Sequence, residues 1–394
     1  MLEAGVEAFW NDMNEPAIFY SEEGLKEAWA KAESLRGDNI GVYDYFDLKD
    51  AFPRMSNSMA DYQRFYHEID GKTIRHDKVH NLYGAMMTKA GAQGMQSFNP
   101  DKRYLLFSRA SFVGAHRDGG VWQGDNFSWW SHILLNLKEL AGMNMCGFLY
   151  TGADLGGFGQ NTTEDLLQRW LQLGVFTPLM RNHAALGTRD QEIYRFRNWE
   201  QMRDTLTVRY ALLPFLYSEL VKAVMKDDML FRPLAFDYPQ DKRACRVEDQ
   251  LMLAGSCMIA PVYEQNARGR YVYLPEDMLM VKFRSAADYE CIPMEKGNHW
   301  IDLKMNEFPL FIKKGQVIPL ANGAECVAQV DGKKLTLLGW LEHGTVFTIY
   351  DDDGESAAID LNEGLTLVDV QVKDGAVVAR AKGLELDASK IILG

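Results

Sequence analysis

The sequence is poor in cysteine and in positive charge. Its five cysteines show no paired metal-ligand spacing, and their odd number favours reduced, mostly buried thiols and a cytoplasmic location. The 42 Lys and Arg residues are outnumbered by 55 Asp and Glu residues, which gives a net charge of −13. This balance argues against nucleic acid and against an anionic membrane as partners, because both require clustered basic side chains. No run reaches the ~18–20 apolar residues of a membrane helix, and neutral substrates fit best.

The rest of the composition is that of an ordinary globular protein. The 394 residues are 47% hydrophobic and 25% charged, enough for two or three domains. Residues 6–225 alternate short apolar runs with longer amphipathic stretches, a pattern typical of βα units around a parallel sheet. The predicted strands begin near residue 6 and then cover residues 104–107, 120–122, 147–150 and 175–180. Each runs into a polar cluster, and on a barrel such strand ends converge on one face.

Helix and turn signals complete the prediction of the fold. Ser128 is the candidate N-cap of one helix and Thr162 or Thr163 of the next. A longer helix is expected from residue 199 to about 225, with a kink at Pro214.

Beyond residue 228 the hydrophobic period becomes alternating. Asp331-Gly332 and Asp374-Gly375 each separate alternating apolar stretches, which predicts two hairpins. We therefore expect an α/β barrel region in residues 1–228, a proximal β-sandwich in 229–318 and a distal β-sandwich in 319–394.

The most specific motif is Trp10-Asn11-Asp12-Met13-Asn14-Glu15, with an apolar run before it and Pro16 after it. A strand that delivers a carboxylate and then breaks into a loop is how a barrel presents a catalytic acid. The segment resembles the nucleophile segment of glycoside hydrolase family 31, the retaining α-glucosidase family, with Asp12 as nucleophile. Trp122-Gln123-Gly124-Asp125-Asn126 resembles the family's acid/base segment, with Asp125 in that role.

The resemblance implies double displacement and a set of sugar contacts. Retaining hydrolysis needs two carboxyl groups about 5–5.5 Å apart, so Asp12 would attack the anomeric carbon while Asp125 protonates the leaving oxygen and later activates water. Arg109 matches the family's arginine that hydrogen-bonds sugar hydroxyls, and Asp154 and His183 match positions that contact the glucose ring. Apolar walls that stack on sugar faces are expected from Trp10, Met13 and Phe158, and Trp122 is expected to be a further substrate-binding residue. No metal or organic cofactor is required.

The resemblance also implies that the sequence covers only part of the family's architecture. The family's nucleophile ends the fourth of eight strands, so this chain corresponds to the C-terminal part, about five βα units, of a (β/α)8 TIM barrel followed by C-terminal β-sandwich domains. An open barrel exposes sheet edges. We therefore expect a complementing N-terminal segment or a homo-oligomer.

Two functions stay open on the sequence. One is a retaining α-glucosidase that acts on terminal non-reducing α-linked glucose, because Met-Asn-Glu after Asp12 is closer to the α-glucosidase version of the motif than to that of the related α-xylosidases. The other is a non-catalytic product, namely a folding remnant, a sugar-binding module or a subunit of a larger assembly. A related α-glycosidase such as an α-xylosidase is an alternative to the first. A metal site is disfavoured, because His76, His80 and the nearby Asp77 lack a third ligand of convincing spacing.

Overall fold

The computed structural model describes residues 1–18, 20–37, 39–52, 57, 59–358, 360 and 363–394. Within this part of the chain, two compact units are formed, Met1–Val121 and Trp122–Gly394. The domain boundaries predicted at residues 228 and 318 stay predictions. None of the helices in the described ranges is long and apolar enough to cross a membrane.

The first unit is built on a parallel pair of strands. β1 (Ala8–Asn11) pairs with β4 (Leu105–Ser108), with Trp10 opposite Phe107. A parallel pair needs a long crossover, and α4 (His80–Phe98) lies in that crossover. The other elements are α1 (Glu22–Ser34), α2 (Val42–Ala51), α3 (Met59–Tyr62), β2 (Tyr66–Ile69) and β3 (Lys72–Arg75), with 3₁₀ turns at Leu2–Ala4, His76–Lys78 and Ala115–Arg117.

Helix α4 approaches the loops after both strands at Gly84. A Cβ atom on Gly84 would lie 2.4 Å from the Cβ of Ala110 and 2.8 Å from the carbonyl oxygen of Asn14. Any larger residue would push the helix away from these loops, so this glycine fixes the spacing between helix and strand ends.

The second unit begins with helices and continues as strands. Its helices are α5 (Trp130–Met145), α6 (Glu164–Gly174), α7 (Trp199–Ala211), α8 (Leu213–Lys226) and α9 (Leu234–Asp237), with 3₁₀ turns at Ile193–Arg195, Ala244–Arg246 and Val327–Gln329. Its strands are β5 (Phe231–Pro233), β6 (Leu251–Leu253), β7 (Cys257–Ile259), β8 (Gly269–Leu274), β9 (Met278–Phe283), β10 (Tyr289–Met294), β11 (Gly297–Asp302), β12 (Phe308–Lys313), β13 (Val317–Leu320), β14 (Lys334–Leu341), β15 (Thr345–Tyr350), β16 (Leu365–Lys373), β17 (Ala376–Arg380) and β18 (Glu385–Leu393).

These strands form one larger sheet and three small ones. The larger sheet has the order β10-β9-β12-β7-β6-β5, and the small sheets are β11-β8, β13-β14-β18 and β15-β16-β17. Two apolar cores result. The first is shared by the helices and the sheets, and the second contains residues of β8, β11 and the larger sheet. Strand β12 shows the reason, since Leu310 and Ile312 belong to the first core and Phe311 to the second, as alternation of side chains in a strand requires.

Several predicted elements are confirmed. The helix after Thr163 is α6, and the long helix expected from residue 199 is α7 and α8, separated at Leu212 just before Pro214. The Asp374-Gly375 hairpin joins β16 to β17, and both turn residues have positive φ (50° and 73°), as a two-residue type I′ turn requires.

Three of the predicted barrel strands are wrong as strands. Around residue 120 a single parallel bridge forms, between Phe107 and Gly120. Residues 147–150 instead begin with the cap of α5: the Phe148 amide donates to the Met143 carbonyl and the Gly147 amide to that of Asn144, with Gly147 at φ 88°. This is the hydrogen-bond pattern that ends helices at a glycine.

The first three residues of the predicted strand at 175–180 also continue the turns of a helix rather than extend. The amides of Val175, Phe176 and Thr177 donate to carbonyls of α6, so they are not available to a strand. Parallel contact survives as one bridge between Asp154 and Arg181.

Two local turn predictions are wrong as well. The segment before Asp331-Gly332 is a 3₁₀ turn, and β14 pairs with the earlier strand β13 and in parallel with β18. Ser128 does not cap α5, because its hydroxyl donates to the carbonyls of Gly159 and Gln160 and the N-cap position is Trp129.

Candidate active site

In the first unit, two strand ends bring Asp12 and Arg109 together. Because β1 and β4 are parallel and in register, the residues that follow Asn11 and Ser108 leave the sheet at the same edge. The Arg109 amide donates to the Asn11 carbonyl at 2.9 Å, and its guanidinium Nη1 lies 3.1 Å from Asp12 Oδ1. The predicted nucleophile therefore has a fixed cation beside it.

Glu15 forms a cluster with Asp12 and Arg109, although it is not among the site residues predicted from the sequence. Arg109 donates from Nε to Oε1 at 2.8 Å and from Nη2 to Oε2 at 2.9 Å of Glu15. These bonds hold the pKa of the Glu15 carboxyl below its ordinary value, although partial burial opposes the shift. The signal available in the sequence is the second acid of the motif, three residues after Asp12.

The chain turns sharply at Met13. Its φ of 57° is unusual for a residue other than glycine, and its amide donates to Asp12 Oδ1 at 2.7 Å. The Asp12 carboxylate thus has a local donor as well as Arg109, while 49% of its side chain stays exposed. Met13 is exposed, and Trp10 stacks on Phe107 with ring centroids 4.9 Å apart.

Asn14 ties the loops after the two strands to each other. This side chain is buried, its Nδ2 donates to Ser108 Oγ at 2.8 Å, and its Oδ1 accepts from the Ala110 amide at 3.0 Å. These two hydrogen bonds hold the loop that follows Asp12 against the residues on either side of Arg109.

The second unit contains an ion pair between a buried carboxylate, Asp154, and the partly exposed Arg181. Asp154 is 1% exposed, and Arg181 donates to its Oδ1 from Nε at 2.9 Å and from Nη2 at 2.5 Å. The Arg181 guanidinium carbon also lies 5.9 Å from the ring centroid of Trp122, which is itself buried. Burial raises the pKa of the Asp154 carboxyl, and the charge of Arg181 opposes the rise. Its second oxygen, Oδ2, is buried with no hydrogen-bond partner among the described residues.

Asn126 orders the loops around the predicted acid Asp125. The buried Asn126 donates to the carbonyl of Asp154 at 3.0 Å, and its Oδ1 accepts from the Phe158 amide at 3.0 Å. Phe158 stacks on the exposed His183 with centroids 5.4 Å apart. Asp125 follows Gly124, whose φ is 72°, and its side chain is exposed.

Each unit thus gathers its own share of the predicted residues. The first contains Trp10, Asp12, Met13 and Arg109, and the second contains Trp122, Asp125, Asp154, Phe158 and His183. Their roles in catalysis and binding, and the separation of the two predicted catalytic carboxyl groups, stay predictions. Sequence reasoning missed Glu15, Arg181 and Asn126, whose importance lies in the partners that the fold gives them.

Family models identify the class of protein. The model described as Glycosyl hydrolases family 31 TIM-barrel domain matches residues 1–219, and that of the Glycosyl hydrolase family 31 C-terminal domain matches residues 227–318. The fold is therefore the predicted one, the C-terminal part of a (β/α)8 barrel followed by a sheet-rich region. The chain belongs to glycoside hydrolase family 31.

Individual relatives agree with this assignment. The chain is 30% identical over 387 residues to alpha-glucosidase 2 of Bacillus thermoamyloliquefaciens, covering 96% of this chain and 44% of that protein. It is 32% identical over 322 residues to the lysosomal alpha-glucosidase of Rattus norvegicus, covering 77% of this chain and 34% of that protein. A dextranase of Flavobacterium johnsoniae, solved with glucose, superposes with a TM-score of 0.73 at 25% identity, over 95% of this chain and 43% of that one. The chain thus spans less than half of these relatives.

Proposed function

We propose that the chain carries the catalytic residues of a retaining α-glucosidase that removes terminal non-reducing α-linked glucose by double displacement. Asp12 attacks the anomeric carbon, and Asp125 protonates the departing oxygen. Asp125 then removes a proton from the water that hydrolyses the glucosyl-enzyme.

The observation that carries this proposal is the bridge that Arg109 makes between Asp12 and Glu15. A nucleophilic carboxylate must keep one oxygen aimed at the sugar, and here Oδ1 is engaged by Arg109 and by the Met13 amide. The remaining oxygen belongs to a side chain that is about half exposed. The Arg109 cation also stabilises the Asp12 carboxylate as an anion, which is the form that attacks and the form that is released when the glucosyl-enzyme is hydrolysed.

Two features of the second unit support a sugar-binding role for its residues. The buried Oδ2 of Asp154 accepts no bond within the described residues, and a sugar hydroxyl is a donor that would satisfy it. The stacked pair of Phe158 and His183 offers an apolar face of the kind that packs against the C–H surface of a pyranose. Both relatives compared above by sequence are named alpha-glucosidases, which favours glucose over xylose at the non-reducing end.

The stereochemistry of the first-formed sugar tests the mechanism. An aryl α-glucoside is hydrolysed by a form of the protein that turns it over, and the anomer released is followed by proton NMR before mutarotation. We expect α-glucose and a much lower rate on the matching α-xyloside. Release of β-glucose would exclude double displacement, and faster xyloside turnover would exclude the α-glucosidase assignment.

A complementing segment is the partner we propose for the first unit. In the described residues β1 is paired on one side only, with β4. A groove of about 500 Å³ is present near that strand, lined in part by Phe9, Met95, Phe98 and Leu106. Barrel strands are paired at both edges, and this groove favours a covering polypeptide as its occupant. A cytoplasmic location is likewise proposed, on the five unpaired thiols. The prediction that these thiols are mostly buried is wrong, since Cys257 is buried but Cys146, Cys245 and Cys326 are exposed.

A further inference from the structure

Three histidines of the first unit form a continuous hydrogen-bonded chain. His67 Nε2 lies 2.8 Å from His76 Nδ1, and His76 Nε2 lies 2.9 Å from His80 Nδ1. His76 is fully buried, whereas the two outer rings are half-buried. Both nitrogens of the middle ring are therefore occupied by imidazoles, and none of the three rings is among the residues given a role in the function proposed above.

The fold brings the three rings together through one short hairpin. Asp70 and Gly71 form its turn with positive φ (50° and 72°), so β2 and β3 place His67 beside the residues that follow β3. The His76 amide donates to the Phe65 carbonyl at 2.8 Å, which fixes the middle ring. His80 is the first residue of α4, which follows the 3₁₀ turn that contains His76 after one intervening residue, Val79.

The geometry limits how many protons the three hydrogen-bonded histidine rings can hold. In each nitrogen-to-nitrogen bond one atom donates and the other accepts, and a neutral imidazole has one donor and one acceptor. If His67 and His80 were both protonated, both would donate to His76, which would have to be an anion. With both bonds intact, the three rings accept one extra proton, and protonation of one outer ring excludes that of the other.

The proton can move along the chain without net change in bonding. A proton on His67 shifts from its Nε2 to Nδ1 of His76, and the Nε2 proton of His76 shifts to Nδ1 of His80. The positive charge has then passed from His67 to His80, each nitrogen–hydrogen bond broken has been replaced by one formed, and the middle ring has exchanged tautomers.

His80, at one end of the three histidines, acts electrostatically on the cluster of Asp12, Glu15 and Arg109. A positive charge on His80 lowers the pKa of the Glu15 carboxyl, whose main partner is Arg109. Tyr62 stacks on His80 with centroids 4.2 Å apart, and the Glu15 charge contributes, after burial, to the raised pKa of Tyr62. Helix α4 begins at His80, and Gly84, one turn further along it, lies against the carbonyl of Asn14, the residue before Glu15. The helix therefore places His80 close to the residue that holds Arg109 beside Asp12.

Other titratable and charged groups near the three histidines change how readily these rings take up a proton. Burial and the neighbouring rings lower the pKa of His76, and Asp77 in the 3₁₀ turn opposes this. The described titratable or charged groups that face the three rings are Glu15, Tyr62 of α3, Asp77 and Tyr83 of α4, with Asp61 acting on Tyr62.

We propose that His67, His76 and His80 form a one-proton relay, in which protonation of His80 supports the ionised Glu15 that orients Arg109 against Asp12. His80 is thus a positioning residue that acts through Glu15 and Arg109. The link to catalysis rests on the proposed function, whereas the proton count of the relay does not.

Nuclear magnetic resonance of the chain with isotope-labelled histidine rings tests the relay directly. Nitrogen couplings across the two bonds report that they are present, and nitrogen shifts report the protonated fraction of each ring from about pH 8 to about pH 5. We expect the three fractions to sum to no more than one while the couplings persist. A sum that approaches two with both couplings present would overturn the proposal.

Two variants test the mutual exclusion. In His67→Gln the amide can keep a hydrogen bond to His76 but cannot hold the proton, so His80 should reach a higher protonated fraction at the acid end of the titration. The exposed His116 lies in the same unit outside the relay, and His116→Gln should leave the His80 curve unchanged. Equal His80 curves in all three proteins would show that the rings titrate independently.

The carboxyl carbon shift of Glu15 tests the coupling without any activity measurement. Replacing His80 with Asn removes the charge, and we expect the Glu15 midpoint to rise by about half a pH unit. An unchanged midpoint in a folded His80→Asn protein would overturn the link to Glu15. Where a form of the protein hydrolyses aryl α-glucosides, His67→Gln should also move the acid limb of kcat/KM and His116→Gln should not. Loss of turnover in every form would reject the proposed function and leave the proton count unaffected.

Discussion

Arg109 holds Glu15 through two parallel hydrogen bonds, at 2.8 Å and 2.9 Å, and uses its third nitrogen, at 3.1 Å, on Asp12. A guanidinium fork matches a carboxylate in this planar geometry, so the arginine has one orientation rather than several. The consequence is that Glu15 sets the direction from which the Arg109 cation approaches Asp12.

Glu15→Gln should lower kcat/KM on aryl α-glucosides by about 100-fold, because an amide can accept only one of the two bonds and lets Arg109 turn away from Asp12. The measurement is steady-state kinetics on an active form of the protein. Glu7→Gln is the matched control, since Glu7 pairs with Lys102 in the same unit outside the cluster. Equal losses in both variants would mean that the effect is general rather than local.

Glu15 should also contribute to stability in a pH-dependent way. Its pKa in the folded protein is lowered from the ordinary 4.5, chiefly by the bond from Arg109. A lowered carboxyl pKa stabilises the folded state above the unfolded value, and that contribution is lost as pH falls through the folded value. The difference in unfolding free energy between the native chain and Glu15→Gln should therefore be full at neutral pH and narrow below 4.5. Urea denaturation across this range checks it, and a constant difference would contradict it.

Substitution of the two predicted catalytic carboxylates should affect turnover differently. Asp12→Asn should abolish turnover, because no covalent intermediate forms. Asp125→Asn should cost about 10²–10⁴-fold with a poor leaving group and far less with an activated aryl glucoside, since a good leaving group needs no proton. A series of aryl glucosides of graded leaving-group pKa measures this, and equal losses across the series would remove Asp125 as the acid.

Arg169 should be a stability determinant of the second unit. It is 1% exposed on α6 and donates at 3.0 Å to the carbonyls of Leu303 and Glu307, between β11 and β12. Arg169→Met leaves these buried carbonyls without their donor and should cost about 3 kcal/mol of unfolding free energy. Arg203→Met on α7, where the arginine is about half exposed, should cost far less. Thermal and urea unfolding compare the two, and similar losses would contradict the expectation.

The groove near β1 predicts the behaviour of the chain expressed alone. Residues 1–394 should bind a hydrophobic dye, associate, and show negligible α-glucoside hydrolysis until a barrel segment covers the edge of β1. Phe98→Asn in the groove should weaken dye binding and association. Phe236→Asn, which alters a similarly exposed ring outside the groove, should not. A monomer with ordinary turnover and no dye binding would show that the groove needs no cover.

Much of the fold could be predicted from the sequence because it depends on patterns among neighbouring residues. Apolar periodicity, the break at Pro214 and the paired positive φ of Asp374 and Gly375 depend on neighbours in sequence. The strands expected at residues 147–150 and 175–180 were wrong for the same reason. An apolar run is compatible with a strand, but here its amides were already used by the helix before it.

By itself the sequence determined the family resemblance, the α/β class and the identity of the residues that carry the motif, since these depend on residue order alone. Only the tertiary structure decided that Arg109 bridges Asp12 and Glu15, that Arg181 pairs with the buried Asp154, and that three histidines are hydrogen-bonded in a row. Each of these contacts joins residues distant in sequence or depends on ring orientation. Distances of a few ångströms between such groups are set by packing, which no local pattern encodes.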